Sequence, residues 1–134
     1  MPTQTTARFL NQSPHGFSNV VEVPPGRLVL ITGQMAVDAT GQLVGGDDFA
    51  VQVEQVFENL ATSLAAVDAT FDHVVKIEVL AVADNFTEHM YTFGEIRDRY
   101  INLDNPPASS ITLVPKLVHP GALIDIAATA HLPN

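Results

Sequence analysis

Between residues 27 and 83 the chain changes period twice, and this constrains its fold more than any other feature. Phe49, Val53, Val56, Phe57, Leu60, Leu64 and Val67 recur at three- and four-residue steps, which lays one apolar stripe down an amphipathic helix over residues 48 to 67. Flanking it are two runs without that period, RLVLIT (27–32) and HVVKIEVLAVA (73–83). Both are rich in β-branched residues and short enough to be strands. A helix that is apolar on one side only, set between two strands, has to cover a sheet, so this stretch demands a layered α/β fold. Asp47 or Asp48 stands where a side chain accepts bonds from the first free N–H groups of the helix.

The rest of the chain extends the pattern. Ser18 to Val23 is a short strand candidate, and Pro24-Pro25-Gly26 is a turn because proline fixes φ and glycine tolerates positive φ. Residues 33 to 47 form a glycine-rich connection. A second helix is expected to start at Asp84, with Asn85 and Glu88 as a capping-box-like pair. Phe86, Met90, Phe93, Ile96 or Arg97, and Tyr100 line one side of it. Asn105-Pro106-Pro107 ends that region, since residues before proline avoid the helical conformation. Ser109 to Lys116 is a strand, His119-Pro120-Gly121 a turn and Ala122 to Leu132 a final strand. In that last strand Ile124, Ile126, Ala128 and Ala130 alternate with Asp125, Ala127, Thr129 and His131. The order ββαβαββ, with a further strand candidate at Thr6 to Leu10, predicts an α/β two-layer sandwich: a mixed six-stranded sheet with two helices on one face, in a single domain over residues 1–134. One sheet face is left without helices, which predicts self-association.

Composition narrows the function. The 134 residues are 46% hydrophobic, enough for a core, and no apolar run approaches the ~20 residues of a membrane span. The N-terminus MPTQTTARFLNQ lacks a basic region followed by an apolar stretch, so a cytoplasmic location is the expectation. The net charge is −9, and Arg8, Arg27, Lys76, Arg97, Arg99 and Lys116 are scattered; neither feature fits a nucleic-acid backbone site. With no cysteine there is no thiol chemistry. The chain has no glycine-rich dinucleotide fingerprint, no phosphate loop, no GxSxG elbow and no zinc spacing. His15, His73, His89, His119 and His131 lie far apart in sequence.

Several collinear segments then point one way. These are Ile31-Thr32-Gly33-Gln34, DATGQLVGGD (38–47), VEQVFENLATSLAA (53–66), DHVVKIEVLAVADNF (72–86), PPASS (106–110) and GALIDIAATA (121–130). Together they resemble the RidA/YjgF family, also called Rid or L-PSP-like proteins, over roughly residues 13 to 132. The resemblance implies a chorismate-mutase-like fold, a homotrimer with small-molecule clefts between neighbouring subunits, no metal or organic cofactor, and hydrolysis of 2-imino acids or their enamine tautomers.

The sequence departs from that family's pattern at most of the positions implied to bind substrate. The arginine that clamps the substrate carboxylate falls on Ser109, and the pocket tyrosine on Phe17. The asparagine of the second helix falls near His89 or Met90. The serine before Gly33 is Thr32, which keeps a hydroxyl. Ile111 keeps the backbone N–H that a cysteine otherwise supplies. The final-strand glutamate falls on Asp125, which keeps the charge on a shorter arm. The expected site is therefore Asp125 as the water-positioning group, with Phe17, Thr32, Gly33, Met90, Ser109 and Ile111 contacting ligand. An arginine–carboxylate pair is bidentate and charge-assisted, so its absence at Ser109 leads us to expect a neutral or cationic ligand. An imine or enamine hydrolase of altered specificity and a non-catalytic metabolite- or protein-binding trimer are both consistent with this set. Alternation puts Ser109, Ile111 and Leu113 on one face of their strand and Lys116 on the other.

Overall fold

The computed structural model describes residues 5–82 and 86–134. Its elements are β1 (Arg8–Ser13), β2 (Phe17–Glu22), β3 (Arg27–Gln34), α1 (Phe49–Ala65), a short 3-10 turn (Phe71–His73), β4 (Val74–Val82), α2 (Phe86–Arg97), β5 (Ala108–Val114) and β6 (Ile124–Leu132). The expected order holds, and the additional N-terminal strand is present, shifted towards Ser13. The proposed cap at Asp84 and Asn85 lies outside the described residues. Helix α2 ends at Arg97, short of the expected boundary, and turns lead from it to the two prolines.

Four strands form a mixed sheet in the order β3-β6-β4-β5, with β4 and β5 parallel and the other pairs antiparallel. The antiparallel β1–β2 hairpin brings the strand count to six and joins at the start of β5. There the Ser18 N–H donates to Pro107 O at 3.0 Å, and the buried Ser18 hydroxyl donates to Pro106 O at 2.6 Å. Proline has no N–H of its own to give, but its carbonyl still accepts, so the Pro-Pro pair serves as the attachment point.

Both helices pack on one face of this sheet. The stripe on α1 is buried as expected: Val53, Val56, Phe57, Leu60 and Leu64 are fully enclosed, each such side chain contributing roughly 1.5–3 kcal/mol relative to exposure. Opposite them lie Ile77, Val79 and Ala81 of β4 and Ile124, Ile126, Ala128 and Ala130 of β6. Phe57 stacks on Tyr100 at 5.0 Å and meets Phe71 and Phe93 at 6.1 Å, which fixes α2 against α1. Asp48 is the cap that forms, accepting from Val51 N at 3.1 Å.

Two polar residues of α1 bind the glycine-rich connection. Gln52 is completely buried; its Nε2 donates to Gly46 O (2.6 Å) and Gly121 O (3.0 Å), and its Oε1 accepts from Leu123 N (2.8 Å). Asn59 Nδ2 donates to Met35 O and Val37 O. Both tie loop carbonyls to the helix, and Gln52 also ties in the entry to β6, so that these buried polar groups find partners.

Among the described residues the other sheet face carries no helix. Leu30 is 75% exposed and Leu28 61% exposed, and Leu80 is exposed on the same face, farther along the sheet. No described helix is long and apolar enough to cross a membrane.

Candidate functional site

Asp125 lies on the open sheet face. It pairs in register with Leu80 of β4, and Leu80 pairs with Thr112 of β5. Neighbouring partners across a sheet share a face, so Asp125, Leu80 and Thr112 point to the same side. Beside Asp125 the β3–β6 register slips between Ile31 and Gln34. This irregularity, of the β-bulge type, re-aims Thr32 and Gly33. A Cβ at Gly33 would collide with Asp125 Oδ1. A side chain there would force the Asp125 carboxylate to move, so glycine permits its close approach. Thr32 is exposed next to it.

Asp125 is half-buried, and burial alone pushes its carboxyl above its ordinary value. Desolvation disfavours the charged form, and no charge-assisted bond offsets it. A carboxylate in such surroundings can exchange a proton nearer neutrality than a solvated one, and can orient a water or an amine.

Ser109 and Ile111 occupy the opposite side. Ser109 pairs with Ile77 and Ile111 with Val79, and both partners face the helices. Because β5 is an edge strand beyond the reach of α1 and α2, Ile111 still remains 42% exposed. Phe17 begins β2, next to the serine that anchors on the proline pair. Met90 projects from α2, partly against the core. Within one chain Asp125, Thr32 and Gly33 form one group, while Ser109 and Ile111 lie across the sheet from it.

Met90 borders a cleft of about 640 Å³ between the β1–β2 turn and α2. Its walls include Ser13, His15, Gly16, Tyr91, Glu95, Arg97, Asp98, Leu103 and Pro106. The cation here is Arg97, at the end of α2. The helical period puts Arg97 on one side of α2 but carries no sign of a ligand role. Its only signal is position: a basic residue at the last turn, facing a glycine turn that has room for it. The remaining histidines are spread out. His89 stacks flat on Phe49 at 4.0 Å, His73 Nδ1 accepts from Thr70 N, and His131 Nδ1 bonds Thr5 Oγ1 at 2.6 Å.

Comparison with known proteins agrees with this architecture. The family model described as "Endoribonuclease L-PSP" matches residues 10–132. Protein DfrA of Myxococcus xanthus is 34% identical over 116 residues, covering 85% of this chain and 83% of that protein. The solved structure of YyfB from Yersinia pestis, described as a protein of unknown function of the conserved Rid family, superposes with a TM-score of 0.80 at 34% identity, covering 94% of this chain and 98% of that one. RidA from an Antarctic Psychrobacter superposes at 0.70 with 27% identity, covering 82% and 85%. The chain belongs to the L-PSP family, that is, the RidA/YjgF or Rid family.

Proposed function

We propose that this protein is a homotrimeric Rid-type hydrolase whose inter-subunit clefts take small imines or enamines without a carboxylate. The observation that carries the reading is Asp125, a desolvated carboxyl seated over Gly33 beside the Thr32 hydroxyl. In the proposed reaction Asp125 accepts a proton from water as the oxygen adds to the imine carbon. The imine nitrogen, protonated from solvent, takes the electron pair of the C=N bond; the carbinolamine nitrogen then receives the proton held by Asp125 and leaves as ammonia while the hydroxyl proton returns to the carboxylate. The C=N bond is replaced by C=O, and no electrons are gained or lost. Thr32 and the Ile111 N–H supply polar contacts, while Phe17, Met90 and Ser109 line an uncharged wall.

Assembly is part of the proposal, because Ser109 and Ile111 of one chain need a second copy to meet an Asp125. The exposed Leu28, Leu30 and Leu80 support such packing. Ser109, where the family resemblance implies an arginine, favours ligands without a carboxylate. It also supports a second reading, a trimer that binds a metabolite or protein without catalysis. The net charge of −9 gives no support to RNA cleavage.

The two readings separate on Asp125→Asn. An amine oxidase supplies neutral imines in situ, and release of the carbonyl product is followed. The hydrolase reading expects acceleration by the wild type and its loss in the variant. A wild-type protein that leaves the rate unchanged would reject it.

A further inference from the structure

The cleft over α2 carries chemistry that the proposed reaction does not use. Arg97 Nε and Nη2 both donate to one oxygen of Asp98, at 3.0 and 2.8 Å. Its remaining N–H groups have no acceptor among the described residues. The Arg97 side chain is only 14% exposed and forms one wall of the cleft. Its guanidinium lies 5.8 Å from the Phe93 ring, beneath the turn at Gly16. A Cβ at Gly16 would stand 2.5 Å from Arg97 Nη2, and Gly16 has φ +83°. The turn is thus shaped to admit the cation.

A guanidinium held along one edge by a carboxylate presents its other edge as a two-pronged donor, the geometry that matches a ligand carboxylate. The same cleft contains two side-chain carboxylates, Glu95 and Asp98, both exposed. A simple anion would meet repulsion from them, and a simple cation would meet Arg97. A ligand bearing both charges satisfies both. The rim adds Tyr91, 71% exposed, and Leu103, also exposed, an aromatic and an aliphatic surface open to a ligand.

We propose that this cleft binds a zwitterionic amino acid with a large apolar or aromatic side chain. Its carboxylate lies on the open edge of Arg97, its ammonium faces Glu95 and its side chain packs on Tyr91 and Leu103. The site lies on α2, apart from the open sheet face that carries Asp125; Met90 borders it and also lines the proposed hydrolase pocket, but none of these ligand contacts uses Met90 or Asp125.

The test is calorimetric titration of the full chain with L-phenylalanine, phenethylamine and 3-phenylpropanoate. L-phenylalanine is expected to bind, and each one-charge analogue to bind at least about tenfold more weakly, because each loses a charge-assisted contact. Glu95→Gln, an exposed change that leaves the core alone, is expected to weaken L-phenylalanine while strengthening 3-phenylpropanoate. Arg97→Met is expected to abolish binding of both. Asp125→Asn is expected to leave binding unchanged, so failure of the hydrolase reading does not touch this one. No heat with L-phenylalanine at millimolar concentration would overturn the proposal. So would binding of 3-phenylpropanoate as tight as that of the amino acid, or an L-phenylalanine affinity indifferent to Glu95→Gln.

Discussion

Replacing Gln52 by leucine removes one side chain that satisfies three backbone groups. Leucine has similar bulk and fills the space, so the change isolates the polar contribution. Gly46 O, Gly121 O and Leu123 N all lose their partner at distances of 2.6–3.0 Å. A buried group left unpaired costs about 1–3 kcal/mol. Leu123 is only part-buried and both glycines sit on loops, so water recovers some of that cost, and we expect a net loss of about 3 kcal/mol. That is more than a hundredfold in the ratio of folded to unfolded chains, at about 1.4 kcal/mol per factor of ten. Urea denaturation measures it directly: the midpoint should fall while the slope stays constant, since the exposed area hardly changes. A loss below about 1 kcal/mol would refute the reasoning, showing that the loop carbonyls are hydrated as readily as they are bonded.

Other consequences follow from the open face and its carboxylate. Leu30→Glu places a charge on the most exposed leucine of the helix-free face and should yield monomers by light scattering; a trimer that persists would contradict the assembly. Asp125→Asn should raise the melting temperature at neutral pH. Folding raises this carboxyl above 3.8, so its penalty is absent below that pH, grows as pH rises from there to the folded value and is complete above it. The gain should therefore vanish in acid, and a pH-independent gain would rule out desolvation as its source. Gly33→Ala should displace the Asp125 carboxylate and cost both stability and any Asp125-dependent activity; full activity would show that the close approach is not needed. Tyr100 should ionise above its usual range near 10, because burial and then the bond to Glu58 favour the neutral phenol; an unshifted ultraviolet titration would contradict that packing.

Much of this was legible in the sequence because it depends on period. The stripe from Phe49 to Leu64 and the alternation from Ile124 to Ala130 each report one buried face, and both faces are where the pattern put them. The capping residue was narrowed to Asp47 or Asp48, and its geometry chose Asp48. What period cannot give is how one strand's faces align with another's. Alternation sorts Ser109 from Ser110 and Asp125 from Ile124, but only register decides that Asp125 shares a side with Thr112 and not with Ser109. The β4–β6 pair slips between Val74 and Lys76, and the β3–β6 pair slips beside Asp125 between Ile31 and Gln34, and no residue pattern announces either. Gln52 was illegible for a different reason. It adjoins Val53 of the stripe, and a glutamine there reads as solvent-facing until the loops that fold back on it are known. Arg97 emerged only once the Gly16 turn was seen to cover it.

The most direct test compares two imines. An amine oxidase generates a neutral imine and an amino-acid oxidase a 2-imino acid, and carbonyl product is measured with and without this protein. Asp125-dependent acceleration is expected for the neutral imine and little for the 2-imino acid, because Ser109 offers no charge to a carboxylate. Faster hydrolysis of the 2-imino acid than of the neutral imine would contradict it, and would mean that a cation from elsewhere serves the cleft.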